Sequence, residues 1–383
     1  MDKPTVQDIF HRFYPAYLDQ YSPSPVQAKV AHNIMNCKTG AYGANVCVCE
    51  DCGFVQIHYN SCRNRCCPMC QAVPKEMWMD ARREDVLDAP YFHLVFTVPD
   101  ILNPVIYSNQ RLLYDALYHA ASSTISELTA DPKHLGAKVG YICILHTWGS
   151  EMNFHPHIHT ILLGGGLASN NQWKDNGENF FIPIRVISKM FRGKYLEELK
   201  RLWEEDKLVF HGTAEKFRNH YTFKELLDSC YGMDWIPHCK KTFNGAQTVI
   251  KYLGKYTHRI AVSNHRIVCM DDDTVTFLVK DYRNEGQWKE LTISGVEFVR
   301  RFLMHVPPRR FVRIRHYGLL CSRTKSQKLT LCRNLLGCKK YLSKLRDMEM
   351  PEILEHLYGI KVCVCKACGG HLGKPQMKMP LRC

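Results

Sequence analysis

The 383-residue sequence contains no apolar run approaching the ~20 residues that a helix needs to cross a bilayer. Its N-terminal stretch lacks the apolar core of a secretory signal, and no amphipathic basic helix or lipidation signal stands out. These absences lead to the expectation of a cytoplasmic protein with no membrane partner. Acidic residues are also in short supply, 37 Asp and Glu against 51 Lys and Arg, for a formal charge of +14. A balance of that sign favours a polyanionic partner, with nucleic acid ahead of a membrane surface. The length suggests two or three domains with room for a sizeable core.

What the chain has in quantity is cysteine, 19 residues. A reducing compartment keeps thiols out of disulfides, so the cysteines predict metal sites. Two knuckles stand out in the N-terminal part: Cys49-x-x-Cys52, followed by Gly53, and Cys67-x-x-Cys70. Their spacing is close to that of a four-thiolate zinc site, which holds together a segment too small for its own core. Cys37, Cys62 and Cys66 are the candidates for a second site. Arg63 and Arg65 make this module basic and suit phosphate contacts. Near the other end, CVCKACGG (363–370) holds a third knuckle, Cys365-x-x-Cys368, with Cys363, His371 and Cys383 as possible partners. A lone knuckle leaves zinc there an open question.

The stretch EMNFHPHIHTILLGGG (151–166) sets His155, His157 and His159 at every second position. A strand over 156–163 puts the three imidazoles on one face, with Ile158, Thr160 and Leu162 turned towards a core. Converging neutral imidazoles form a metal site short of a third ligand. His146, on the preceding strand (137–149), and Glu151, in the turn, are the candidates, with His146 ahead. A second informative stretch is FNGAQTVIKYLGKYTHRIAVSNHR (243–266). A helix over 246–258 places Tyr252 and Tyr256 one turn apart on one face, among Lys251, Lys255, His258 and Arg259. Such a pair is usually core packing, yet flanking cations suit a phenol placed beside phosphate. PPRRFVRIRHYG (307–318) adds Arg309, Arg310, Arg313 and Arg315 with interleaved aromatics, suited to phosphate contact and base stacking.

HPHIH followed by LLGGG, YLGKYTHRIAVSN and the run SCRNRCCPMCQ resemble the transposases of rolling-circle insertion sequences. These form the two-tyrosine branch of the HUH endonucleases, in which two histidines flank a hydrophobic residue. YFHLVFTVP, LHTWG, KDYRN, EFVRRFLMHVPP and FVRIRHYG extend the resemblance over roughly residues 5–335. It implies an α+β, ferredoxin-like nickase domain: an antiparallel sheet with helices on one face, beside an N-terminal zinc-binding module. The implied division is 1–89 for the zinc module, 90–302 for the catalytic domain and 303–383 for a basic C-terminal region. It further implies His157 and His159 as the metal-binding pair, with His155 the branch's extra histidine. Tyr252 and Tyr256 become the nucleophiles, and Cys49, Cys52, Cys62, Cys67 and Cys70 match the zinc module. The chain departs from the family pattern at Cys66 and Asn45, where relatives usually carry His, and Cys47 is the candidate stand-in for the latter.

The expected activity is nicking and joining of single-stranded DNA, the ends of its own element and the target, through a 5′-phosphotyrosine. The expected cofactors are structural Zn²⁺ and catalytic Mg²⁺ or Mn²⁺, in a prokaryotic, nucleoid-associated protein. A plasmid or phage replication initiator shares this chemistry. A non-enzymatic zinc-dependent DNA-binding regulator is the alternative from a different class.

Overall fold

The computed structural model describes residues 3–177, 179–180, 182–235, 237–243, 249, 254, 260–281 and 286–378. The chain opens with two helices, α1 (Val6–Gln20) and α2 (Pro25–Met35). Thr5 and Ser24 cap them with reciprocal Asp8 and Gln27 boxes, and Pro25 occupies the first turn of α2, where no backbone N–H is needed. The short strands β1 (Ala44–Val48) and β2 (Val55–Tyr59) form a hairpin, and α3 (Ala72–Arg83) follows the second cysteine run.

A six-stranded sheet positions the histidines. It is built from β3 (Tyr91–Thr97), β4 (Lys138–Trp148), β5 (Phe154–Leu167), β6 (Trp173–Asp175), β7 (His238–Phe243) and β11 (Ile314–Gly318). The main path runs β11-β4-β5-β3-β7, with β6 paired to β5, and every pairing is antiparallel. Strand alternation divides its faces. Phe92, Leu94, Phe96, Tyr141, Cys143, Leu145, Ile158 and Leu162 point to one side. There they meet α4 (Asn103–Ser108), α5 (Gln110–Ala130), α6 (Ile184–Glu204) and α7 (His220–Gly232). Tyr91, Ile142, Ile144, Ile161 and Leu163 point to the other, against Met79 of α3, Val249 and Leu329 of α9 (Lys325–Leu336). The fold is therefore α+β with an antiparallel sheet, as the sequence predicts, while α3 and α9 also cover the face opposite the expected helix layer.

The strand's glycine tail has a steric reason. A Cβ on Gly165 would lie 2.4 Å from the Trp173 ring, and one on Gly166 would lie 2.4 Å from the Lys138 carbonyl oxygen. Only glycine lets β4 and β6 close on β5 there.

A second core joins the N-terminal helices to a three-stranded sheet of β8 (Ile267–Met270), β9 (Thr274–Asp281) and β10 (Gln287–Ser294). Phe10 of α1 meets Phe302 of α8 (Gly295–Met304) edge to face, with ring centroids 5.2 Å apart. The chain's last described strand, β12 (Gln376–Lys378), pairs with β1, so residues from both ends share one small sheet.

Two helices that the sequence predicts, over 103–129 and over 329–346, are altered in the structure. The segment 103–129 divides at Asn109, whose side chain donates to the carbonyls of Val105 and Val209 at 2.9 and 2.7 Å. The helix expected over 329–346 ends at Leu336, because Gly337 adopts a left-handed C-cap with φ of 64°. Beyond it the chain crosses α3, where Tyr341 Oη, Ser343 Oγ and the Leu345 N–H all donate to the Asp80 carboxylate at 2.6–2.9 Å.

Candidate metal centre and nucleic-acid interface

The β4–β5 hairpin pairs His146 directly with His157, and Ile144 with His159. Opposed residues of an antiparallel pair share a face, so all three imidazoles stand together. One ring nitrogen from each lies within 4.8 Å of the others. The Nε2 atoms of His157 and His159 are 3.0 Å apart. His157 Nδ1 lies 2.7 Å from the His155 carbonyl oxygen, a contact only an N–H satisfies, so its Nε2 carries the lone pair. His159 Nδ1 is 2.9 Å from Nε2 of His93 on β3, whose ring stacks on it. The His146 ring is braced against Trp148, with centroids 4.5 Å apart.

Burial pushes His157 down to about 4, and His159 well below the usual histidine range, with the neighbouring imidazoles adding to the second shift. Both rings are therefore neutral at physiological pH, the form that binds a cation. The two Nε2 atoms, facing each other at 3.0 Å, also match ligands about 2.1 Å from one ion at roughly a right angle. The donor set fits a divalent metal.

His155 stands apart from the trio: it is partly exposed and pairs with Asp100 at 3.2 Å. Glu151 is not part of the cluster either; its carboxylate accepts from the Asn153 side chain at 3.3 Å. His93 was not anticipated. Its signal was present in YFHLVFTVP, where alternation sets Tyr91, His93 and Val95 on one face, but pairing of that strand with the histidine strand is not written in the sequence.

Tyr252, Tyr256, Lys255 and Arg259 lie outside the described residues. Two of their sequence neighbours are described. Val249 is buried with Ile161 and Leu163, on the sheet face that carries the histidines. At Gly254 a Cβ would lie 1.9 Å from Met79 Sδ and 3.3 Å from Lys75 Cε, both on α3.

The cysteines group differently from the expectation. Cys49 and Cys52 do not converge with Cys67 and Cys70. Instead Cys37, Cys62, Cys67 and Cys70 form one cluster, and Cys49, Cys52, Cys365 and Cys368 form another. The reason is register: the β1–β2 hairpin carries the first knuckle towards β12 and away from the second knuckle. Cys66 joins neither cluster; it is buried beside Arg313 and Arg65, and burial raises its thiol to about 11. Cys47 is likewise buried outside both. Sulfur pairs at 3.5–3.8 Å match the ~3.8 Å edge of a tetrahedron of thiolates about 2.3 Å from zinc. Zinc fits both sets.

The arginines divide into two kinds. Arg63, Arg65, Arg309 and Arg310 are exposed, and Arg65 donates to the Phe311 carbonyl at 2.6 Å, which brings the cysteine loop against the 308–311 turn. Arg313 is buried inside the fold, against its expected role at a surface, whereas Arg315 is partly exposed and paired within the fold. Arg313 is buried over the Trp148 ring at 5.4 Å; Arg315 pairs with Asp115 and sits 3.9 Å over the Tyr118 ring. Strand alternation in β11 does not predict this, since the partners come from α5 and β4.

A histidine cluster that fits a divalent cation, on an antiparallel α+β sheet, and two cysteine clusters that fit zinc define a fold equipped to bind metal. Comparison with known proteins narrows that class. A family model described as "Putative transposase" matches residues 140–328, and one described as "Transposase zinc-binding domain" matches residues 9–98. The chain is 40% identical over 369 residues to "Putative transposase y4qJ" of Sinorhizobium fredii (strain NBRC 101917 / NGR234), covering 95% of this chain and 93% of that one. It is 30% identical over 309 residues to the "Transposase for insertion sequence element IS801" of Pseudomonas savastanoi pv. phaseolicola, covering 79% of this chain and 72% of the relative. Among solved structures, conjugative relaxase TrwC in complex with oriT DNA overlaps 43% of this chain and 71% of its own at 12% identity, with a TM-score of 0.25 too low to carry an argument. The chain belongs to the two-tyrosine HUH transposases of rolling-circle insertion sequences and includes their zinc-binding domain.

Proposed function

We propose that this transposase nicks single-stranded DNA at the ends of its element and joins it to a target through a 5′-phosphotyrosine intermediate. The observation that carries the reading is the convergence of His146, His157 and His159 from two adjacent strands, with the Nε2 atoms of the HUH pair facing each other. A divalent cation held by these three imidazoles, Mn²⁺ or Mg²⁺, would neutralise charge on the phosphoryl oxygens and align the scissile phosphate. His93 and the His155 carbonyl orient the two HUH rings and fix which nitrogen points inward.

Tyr252 or Tyr256 supplies the attacking phenol. Its oxygen bonds to phosphorus as the P–O3′ bond breaks; the phenol gives up its proton and the leaving oxygen ends as a 3′-hydroxyl. The ester energy is conserved, so rejoining needs no nucleotide cofactor. A second tyrosine allows a second strand to be cut while the first remains attached. Arg63, Arg65, Arg309 and Arg310 supply exposed positive charge for the phosphate backbone.

The test is incubation with labelled single-stranded DNA carrying the element's ends, with and without Mn²⁺, followed by a denaturing gel. A metal-dependent cut with a covalent protein–DNA adduct is expected. DNA binding with neither cut nor adduct would instead support the regulator reading.

A further inference from the structure

The family's zinc-binding domain spans residues 9–98, and the transposase match ends at residue 328. Cys365 and Cys368 lie beyond both, yet they complete a cluster begun by Cys49 and Cys52. We propose that these four thiolates bind a second zinc ion in a site split between the two ends of the chain, and that this ion latches the C-terminal segment onto the N-terminal module.

Four observations converge on it. The sulfurs approach crosswise, Cys49 to Cys368 at 3.5 Å and Cys52 to Cys365 at 3.8 Å, and every sulfur lies within 4.8 Å of the others. That is a four-way convergence at the spacing of zinc ligands, and none of these cysteines is paired in a disulfide. The two halves are built alike: each is Cys-x-x-Cys-Gly, with Gly53 and Gly369 at φ of 70° and 76°. The C-terminal half aims backbone donors at its sulfurs, Ala367 N–H to Cys365 and Gly370 N–H to Cys368, both at 3.4 Å. Such donors stabilise thiolate over thiol. Finally, the backbone closes the two halves together: β1 pairs with β12, Cys49 bridges Leu372, and the Gly373 N–H donates to the Val48 carbonyl at 2.9 Å.

The apolar support for this arrangement is slight. Among the described residues its buried cluster is Cys47, Cys49, Cys365 and Leu372. Three of those four are cysteines, so burial cannot hold the segment and the metal must. The other end of the strap is the Asp80 clamp on Tyr341, Ser343 and Leu345. The C-terminal region is thus fastened at α3 by hydrogen bonds and at the β1–β2 hairpin by zinc. The second cluster, Cys37, Cys62, Cys67 and Cys70, draws on the N-terminal module alone and is independent of the strap.

The test uses the full-length, zinc-loaded wild-type protein. Bound zinc is counted by elemental analysis, and thiols are pulse-alkylated and located by mass spectrometry. Cys52 and Cys368 are exposed, as are Cys269 and Cys321. Burial would therefore leave all four equally reactive, whereas the latch protects the first two. Expected are two zinc ions per chain, with slow modification of Cys52 and Cys368 that a chelator abolishes. Alkylation of Cys368 at the rate of Cys269 in the zinc-loaded protein overturns the proposal. In a second arm, Cys49→Ser with Cys52→Ser should lose one zinc and expose the segment beyond residue 358 to protease, as Cys365→Ser with Cys368→Ser does. Retention of two zinc ions in either variant overturns it as well. Neither readout depends on DNA cleavage, so the latch and the nicking reading fail or stand separately.

Discussion

His157 shows how one side chain can be held for a task. Its Nδ1 is occupied by a carbonyl of its own strand, and burial keeps the ring neutral. Removing both HUH imidazoles, His157→Ala with His159→Ala, should abolish cleavage with the fold retained, checked by circular dichroism beside the nicking assay. His93 does not face the cation position directly and acts on His159. His93→Ala should weaken metal affinity about 10–100-fold, seen as a shift of the Mn²⁺ concentration for half-maximal nicking that saturating metal restores. A loss that no metal concentration restores would mean His93 is needed for folding alone. The two tyrosines admit an equally direct trial. Tyr252→Phe and Tyr256→Phe each keep the ring and lose the phenol oxygen that the proposal makes the nucleophile, so each should retain some single cleavage and fail to complete transposition. Normal transposition by either variant would remove that residue from the chemistry.

At the scale of elements, α3 is the meeting point of three parts of the chain. Asp80 and Glu84 on and beside it anchor the strap after α9, while Met79 and Lys75 abut Gly254, which stands in sequence between the two tyrosines. A methyl group at residue 254 would overlap Met79 Sδ, a crowding that costs about 1–3 kcal/mol when neighbours must shift. Gly254→Ala should therefore slow nicking without altering zinc content, and Met79→Ala in the same chain should restore much of the rate. Absence of rescue would show that α3 does not set the position of that segment. Apolar spacing in the sequence predicts the helical segment 103–129 and the strands 137–149 and 156–163, because such patterning is local, but it does not predict α3. The helix expected over 329–346 runs past α9 although the Gly337 stop is local and legible; what redirects the following segment is the hold of Asp80, on a helix more than 250 residues earlier.

Across the whole molecule, His305 ties α8 to the β4–β5 turn. Its Nε2–H donates to the Met152 carbonyl at 3.0 Å, and its Nδ1 lies 3.1 Å from Thr147 Oγ1, a hydroxyl able to donate to the neutral ring. Burial, with Arg300 and Arg313 nearby, pushes it down to about 4. The unfolded chain takes up this proton near pH 6.5 and the native one only near 4, so the unfolded state binds more protons in between. Stability then falls as pH drops across that window, by up to about 1.4 kcal/mol per unit from this residue. Urea unfolding at several pH values should show a shallower acid loss in His305→Gln than in the wild type. Parallel slopes would dismiss the assignment.

The sequence by itself determined the family and the α+β class, through motifs spread over roughly residues 5–335, and the histidine strand and cysteine knuckles, because each single motif rests on short local spacing. Alternation along one strand suffices to put His157 and His159 on one face, and a two-residue gap suffices to make a knuckle. Only the tertiary structure decided the partners. It brought His146 and His93 to the pair from flanking strands, buried Arg313, paired Arg315 with Asp115, left Cys66 out of both clusters, and matched Cys49 and Cys52 with cysteines more than 300 residues away. Any knuckle offers the same two sulfurs, so sequence cannot choose among them. The strand register between β1 and β12 makes that choice.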